Sequence, residues 1–214
     1  MELGFEIERK ETGLLIIDMQ NAFCSDQGSM AKKNLPMAFQ KAIIPNVKQL
    51  VRICRDAQIH AIWSQQIHFP HDVTRRLHKI PTHIDKRKSY PCLVGTWDAE
   101  IVDELKAEIH PGDDIIEKHR SSCLYDTTLP TKLRMRGINM LIISGVTSDY
   151  CVENTVRHAY HMDYDIIVVK DCIASRSKEV DRAFLVSVER YFGLVLSLKE
   201  LSEELRKVTE TIQT

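Results

Sequence analysis

The chain has 214 residues, 43% of them apolar and 28% charged, enough apolar material for one domain with a substantial core. Its formal net charge of −1 gives no global attraction to nucleic acid or to an anionic membrane surface. The opening MELGFEIERKE is charged and lacks an apolar signal core, and no apolar run reaches the roughly 18 residues of a membrane span. The expectation is a single cytoplasmic domain over residues 1–214, without nucleic-acid or membrane partners.

In chain order, Gly13 to Asp18 reads as a buried strand. Residues 43–57 carry apolar side chains at 43, 44, 47, 50, 51, 54 and 57, one face of a helix, with Pro45 tolerated in its first turn. Ile59 to Ser64 is a second strand, and 66–97 shows no clear period. Residues 98–107 suit a helix that ends before His110-Pro111-Gly112. Asp114 to Lys118 is a short strand, 126–136 a helix stopped at Gly137, and Asn139 to Ser144 the most apolar strand. A helix over 151–163, a strand over Asp165 to Lys170, a helix over 178–192 and a strand over Gly193 to Leu196 follow. Ser197 and Glu200 then read as a capping box opening a last helix. Six strands alternating with helices predict an α/β fold, a three-layer αβα Rossmann-like domain with a six-stranded parallel sheet and right-handed crossovers.

Open sheets of this kind bind ligands outside the carboxyl ends of their strands. Three strand ends carry chemistry there: Asp18, Lys118, and the turn from Ser144 to Cys151. Each also has an ordinary explanation, as a helix cap, a solvated lysine or a packing thiol; their shared edge favours the chemical one. The other cysteines, Cys24, Cys54, Cys92, Cys123 and Cys172, form neither a CxxC pair nor a zinc spacing and read as small packing residues. Cys123, in the loop after Lys118, is also a candidate to approach the pocket. A thiol at a helix start, with a lysine nearby, is expected to titrate low and to alkylate faster than its five siblings. Asp18 would accept its proton, and the Gly145–Cys151 turn would offer backbone N–H groups to an oxyanion.

LLIIDMQNAF, EKHRSSCLYDTTL and SGVTSDYCVENTVRHAY resemble the three signatures of the isochorismatase-like cysteine hydrolases, and GTWDAEI (Gly95 to Ile101) is similar to a further recurrent stretch. The resemblance runs from about Thr12 to about Leu201. It implies a catalytic triad of Asp18, Lys118 and Cys151. It also implies a cis peptide between Val146 and Thr147, with the N–H groups of Thr147 and Cys151 as oxyanion donors. Phe23, Gln66, His68, Trp97, Arg120, Ser122 and Tyr150 become candidate pocket residues, and a homodimer or homotetramer is the expected assembly.

Two departures matter. Nicotinamidases of this superfamily build a metal site from Asp-x-His and a later histidine; here Gln66 stands for the acid, Pro91 for the later histidine, and only His68 remains. His71, His78 and His83 fit no standard metal spacing, so neither a metal nor another cofactor is expected. Ser121 and Leu124 replace aromatic residues after the lysine, while Arg120 and Ser122 are retained.

GTWDAEIVDEL and the carboxyl-terminal half look most like ureidoacrylate and other N-carbamoyl amidohydrolases. The implied reaction is metal-independent cleavage of a C–N bond in a small amide or N-carbamoyl substrate through a Cys151 thioester. The alternatives are vinyl-ether hydrolysis with Asp18 as the acid, and a non-catalytic binding protein on the same fold. Between Gln66 and Tyr90, six cations (Arg75, Arg76, Lys79, Lys86, Arg87, Lys88) face two acids (Asp72, Asp85), an excess of four positive charges. That segment could act as a basic lid for a carboxylate substrate, or form a solvated loop or subunit contact.

Overall fold

The computed structural model describes residues 6–33, 35, 37–71, 79–80 and 90–210. Its centre is a six-stranded, all-parallel sheet: β1 (Thr12–Ile17), β2 (His60–Gln66), β3 (Asp114–Lys118), β4 (Met140–Val146), β5 (Asp165–Ala174) and β6 (Leu194–Leu196), in spatial order β3-β2-β1-β4-β5-β6. The strand order reverses between β1 and β4, and the crevice at such a reversal is where open α/β sheets bind ligands.

The helices are α1 (Asn21–Cys24), α2 (Ala38–Ala42), α3 (Ile44–Asp56), α4 (Asp103–Lys106), α5 (Leu129–Arg136), α6 (Glu153–Tyr160), α7 (Lys178–Tyr191) and α8 (Leu198–Glu210). Successive β1 side chains alternate between the two layers. Leu14 and Ile16 pack with Val47 and Leu50 of α3, Leu105 of α4 and Leu201 of α8. Leu15 and Ile17 pack with Leu133 of α5, Val156 of α6 and Val188 of α7. Both faces of the strand are thus dry, which is why β1 is almost continuously apolar.

Local signals set the boundaries. Gly137 takes a left-handed φ of 70° and ends α5. Ser197 accepts from Glu200 N (3.2 Å) while the Glu200 carboxylate accepts from Ser197 N (2.7 Å), the reciprocal box at the head of α8. Three expectations need correction. The helix over 98–107 is split: a 3₁₀ turn at Trp97–Ala99 and the short α4 flank a bridge from Ile101 to Gln20. The helix expected from Cys151 begins at Glu153, after a π-turn over Ser148–Val152 that contains the cysteine. Strand β5 runs on to Ala174, four residues past Lys170.

Most of the basic 66–90 stretch, including His78 and His83, lies outside the described residues; His71 and Lys79 are exposed. Among the described residues no helix is long and apolar enough to cross a membrane.

Candidate active site

Register brings the site together. Ile17, the last residue of β1, pairs with Ser64 on one side and Gly145 on the other, so Asp18 leaves the sheet between β2 and β4. Lys118 pairs with Gln66 at the end of β3. The β1–β4 approach is tight: a Cβ on Gly145, whose φ is 113°, would lie 2.0 Å from Ile17 O, so only glycine fits there. Asp18 itself takes a left-handed φ of 51°, turning the chain off the strand.

Asp18 and Lys118 are fully buried and Cys151 is 6% exposed. Lys118 Nζ lies 2.8 Å from Asp18 Oδ2 and donates to Gln66 Oε1 (2.9 Å), Arg120 O (3.1 Å) and Cys151 Sγ (3.3 Å). Ser64 Oγ donates to the other Asp18 oxygen at 2.6 Å. Burial works against the Lys118 charge, but the Asp18 charge and its hydrogen bond favour it, and its pKa is raised. The ammonium is therefore a fixed cation with every proton engaged.

The Cys151 thiol behaves differently from the sequence expectation of a low-titrating group. Burial pushes its pKa well above the usual thiol value; Lys118 pulls the other way, while the Asp18 charge and a hydrogen bond to Asp18 add to the rise. The cysteine sits in a π-turn over Ser148–Val152 that runs directly into α6. A neutral thiol beside an Asp18–Lys118 ion pair is electrically balanced, whereas a thiolate there would leave a buried net negative charge.

The turn carrying Cys151 is braced from behind. Val146–Thr147 is a cis peptide. Thr147 O accepts from Tyr150 N (3.1 Å) and Val152 N (3.2 Å). Ser148 Oγ donates to Asp181 Oδ1 at 2.5 Å, and the same oxygen accepts from Ser175 N at 2.7 Å, tying the turn to β5 and α7. At the β2 end, Gln20 holds the strand: its amide donates to Gln66 O (2.9 Å) and Ala99 O (2.7 Å), and its oxygen accepts from Gln66 N (2.8 Å).

A pocket of about 290 Å³ opens onto Cys151. Of the pocket candidates, Phe23, Gln66, His68 and Tyr150 line it, as do Val146 and Thr147. Trp97, Arg120 and Ser122 do not. Trp97 is part-exposed and contributes its carbonyl to Asn21 (2.8 Å). Arg120 serves Lys118 through its backbone oxygen. Ser122 Oγ lies 2.9 Å from His158 Nδ1, on a separate outer cleft. Cys123 is buried behind the site, its N–H on Thr155 Oγ1 (3.0 Å), and does not line the pocket.

Sequence reasoning missed Met30, Met37, Gln40, Ser121, Asp149 and Arg176, which also line the pocket among the described residues. Asp149 and Ser121 adjoin motif residues and were within reach of the sequence. The others come from segments whose patterns carry no chemical signature.

Among the described residues no three histidine, cysteine or acidic side chains converge as a metal site. The position that matches the metal acid of nicotinamidases holds Gln66, whose oxygen is already bound by Lys118, and His68 stacks on Tyr90 with ring centroids 5.3 Å apart. That donor set does not fit a divalent ion.

The isochorismatase domain matches residues 12–200, nearly the whole chain. The chain belongs to the isochorismatase-like hydrolases. It is 30% identical over 207 residues to the ureidoacrylate amidohydrolase RutB of Enterobacter sp. (strain 638), covering 91% of this chain and 89% of that one. Its fold is similar to that of a cysteine hydrolase from Pseudomonas syringae pv. phaseolicola 1448A, with a TM-score of 0.81 at 22% identity over 95% of this chain and 96% of the other. It is also similar in fold to N-carbamoylsarcosine amidase from Thermoplasma acidophilum, with a TM-score of 0.71 at 24% identity over 89% and 98%.

Proposed function

We propose that this protein hydrolyses a C–N bond of a small amide or N-carbamoyl acid through a thioester on Cys151. The observation that carries the reading is the buried contact set in which Lys118 Nζ touches both Asp18 Oδ2 (2.8 Å) and Cys151 Sγ (3.3 Å) at the floor of a ligand-sized pocket. The name of the RutB relative points to the same chemistry.

In this mechanism Asp18 takes the Cys151 proton as sulfur attacks the carbonyl carbon. The oxygen gains negative charge and is met by the N–H groups of Thr147 and Cys151, both on the pocket wall. Collapse expels ammonia or an amine, which takes the proton from Asp18. Water then attacks the thioester with Asp18 as base, releasing the acid and returning the proton to sulfur. Lys118 stays charged throughout: it orients Asp18 and offsets the negative charge as it moves from carboxylate to sulfur. Because the resting thiol is neutral, the proton acceptor is essential rather than auxiliary.

A carboxylate on the substrate is supported by Arg176, an exposed cation that follows β5 and lines the pocket without an ionic partner among the described residues. The vinyl-ether alternative uses Asp18 as an acid and leaves the sulfur contact without a role.

Ammonia release from a panel of amides, ureas and carbamoyl acids tests the proposal. Wild type should turn over carbamoyl acids, and Cys151→Ala should lose on the order of 10⁴-fold or more in kcat. Arg176→Ala should raise KM for the carboxylate substrate roughly tenfold, the loss of one charged hydrogen bond, and leave KM for a neutral amide in place. Turnover by Cys151→Ala at the wild-type rate would exclude the thioester route.

A further inference from the structure

Gln40, on α2, is fully buried and lines the pocket, and neither its amide oxygen nor its amide nitrogen has a hydrogen-bond partner among the described residues. The same pocket is lined by the apolar side chains of Phe23, Met30 and Met37. A dehydrated amide with both ends open is costly to a folded chain. A leucine of similar volume would avoid that cost, so the amide answers to something that enters the pocket.

Its place narrows what that is. Helix α2 packs against α1 and β5, and both Gln40 and Arg176, which follows β5, line the pocket. Gln40 needs one donor for Oε1 and one acceptor for Nε2. An alkyl tail supplies neither. A bare carboxylate supplies acceptors only and would set its lone pairs against Oε1. With the scissile carbonyl oxygen taken by the backbone donors, the scissile ureide has only N–H groups left, which satisfy Oε1 and leave Nε2 open. An N-carbamoyl acid meets both needs at once: its internal N–H reaches Oε1, and its carboxylate, held by Arg176, accepts from Nε2.

We infer that Gln40 is a specificity-determining residue whose amide bridges the ureido N–H and the carboxylate of an N-carbamoyl acid, a reading that rests on the C–N hydrolase function proposed above. It selects ureido acids over amide acids of the same length, because a methylene in place of the N–H leaves Oε1 unpaired in a dry site. Discrimination of that kind is stronger than any built from apolar contact alone.

The test uses an isosteric pair, N-carbamoyl-β-alanine and glutaramate, which differ by NH against CH₂. The ratio of their kcat/KM values is measured for wild type, Gln40→Leu and Gln40→Glu. Gln40→Leu should lower the ureide-to-amide ratio at least tenfold, chiefly through KM, without lowering Tm. Gln40→Glu should keep an acceptor for the N–H but repel the carboxylate, raising KM for both acids.

A second arm avoids turnover: calorimetric binding of N-carbamoyl-β-alanine to Cys151→Ala, with and without Gln40→Leu. At least tenfold weaker binding in the double variant supports the inference even if no substrate is hydrolysed, in which case the hydrolase reading alone fails. An unchanged ratio or unchanged binding, no detectable binding to Cys151→Ala, or a lower Tm with equal losses on both acids would overturn it. That last result would mark Gln40 as a packing residue satisfied by buried water.

Discussion

Asp114 and Lys118 stand at opposite ends of the same five-residue strand, and each anchors an ionic cluster. At the amino end, Asp114 is met by Lys132 (2.5 Å), His60 (2.8 Å) and Arg136 (3.0 Å), side chains that remain 22% to 43% exposed. At the carboxyl end, Lys118 meets Asp18 and Cys151 with no exposure on either charged partner. The amino-end cluster is redundant and screened: removing one partner leaves two others and water. The carboxyl-end cluster is closed, balanced and directed at one sulfur atom. Position along the strand decides this, because the carboxyl edge is where the crevice opens.

If that contrast is right, perturbing the two ends should give different kinds of damage. Asp18→Asn should reduce kcat about 10³-fold by removing the proton acceptor. It should also lower the Cys151 pKa, since the Asp18 charge and hydrogen bond raise it while Lys118 stays to lower it. Iodoacetamide inactivation of wild type should keep accelerating with pH beyond the usual thiol range, and in Asp18→Asn it should level off at lower pH. Identical profiles would break the link between Asp18 and the thiol proton.

Lys118→Met comes next. It strands the buried Asp18 charge and should cost about 3–5 kcal/mol of stability along with turnover. Denaturant unfolding measures it, and a loss below 1 kcal/mol would mean that water reaches the site.

Asp114→Asn should be the mildest change. Burial works against the Asp114 charge, but Lys132, His60 and Arg136 hold its pKa down at about 2. A depressed carboxylate stabilises the fold above its unfolded pKa and loses that contribution as pH falls through the folded value. The expected loss on substitution is about 1–2 kcal/mol after allowance for the exposed partners, or roughly 2–8 °C in Tm near neutral pH. It should vanish as pH approaches 2, with turnover per folded molecule unchanged. A turnover defect in Asp114→Asn would erase the distinction between the two ends.

The order of elements and the edge that carries the chemistry were legible because period and strand ends are local properties. Asp18, Lys118 and the Cys151 turn could be placed on one edge from strand ends alone. The direction of the Cys151 titration was not legible: a helix-start position argues for a low value, and only the depth of burial and the nearness of Asp18 reverse it. Trp97 and Arg120 stood in motif stretches yet act through backbone carbonyls, which no side-chain pattern announces. Gln40 and Arg176 lie in segments where nothing periodic or spaced marks them; the tertiary approach of α2 to the end of β5 brings them to one pocket. Among the six thiols, all buried, Cys151 is set apart by access rather than ionisation, since it alone lines the site among the described residues.

The central claim is a covalent intermediate on Cys151, and rapid acid quench of the enzyme mixed with excess carbamoyl acid, followed by intact-mass and peptide analysis, tests it most directly. The account predicts a transient mass increase equal to the acyl or carbamoyl group, located on Cys151, absent in Cys151→Ala and slow to build in Asp18→Asn. Steady turnover with no adduct at any quench time, or an adduct on another residue, would contradict it.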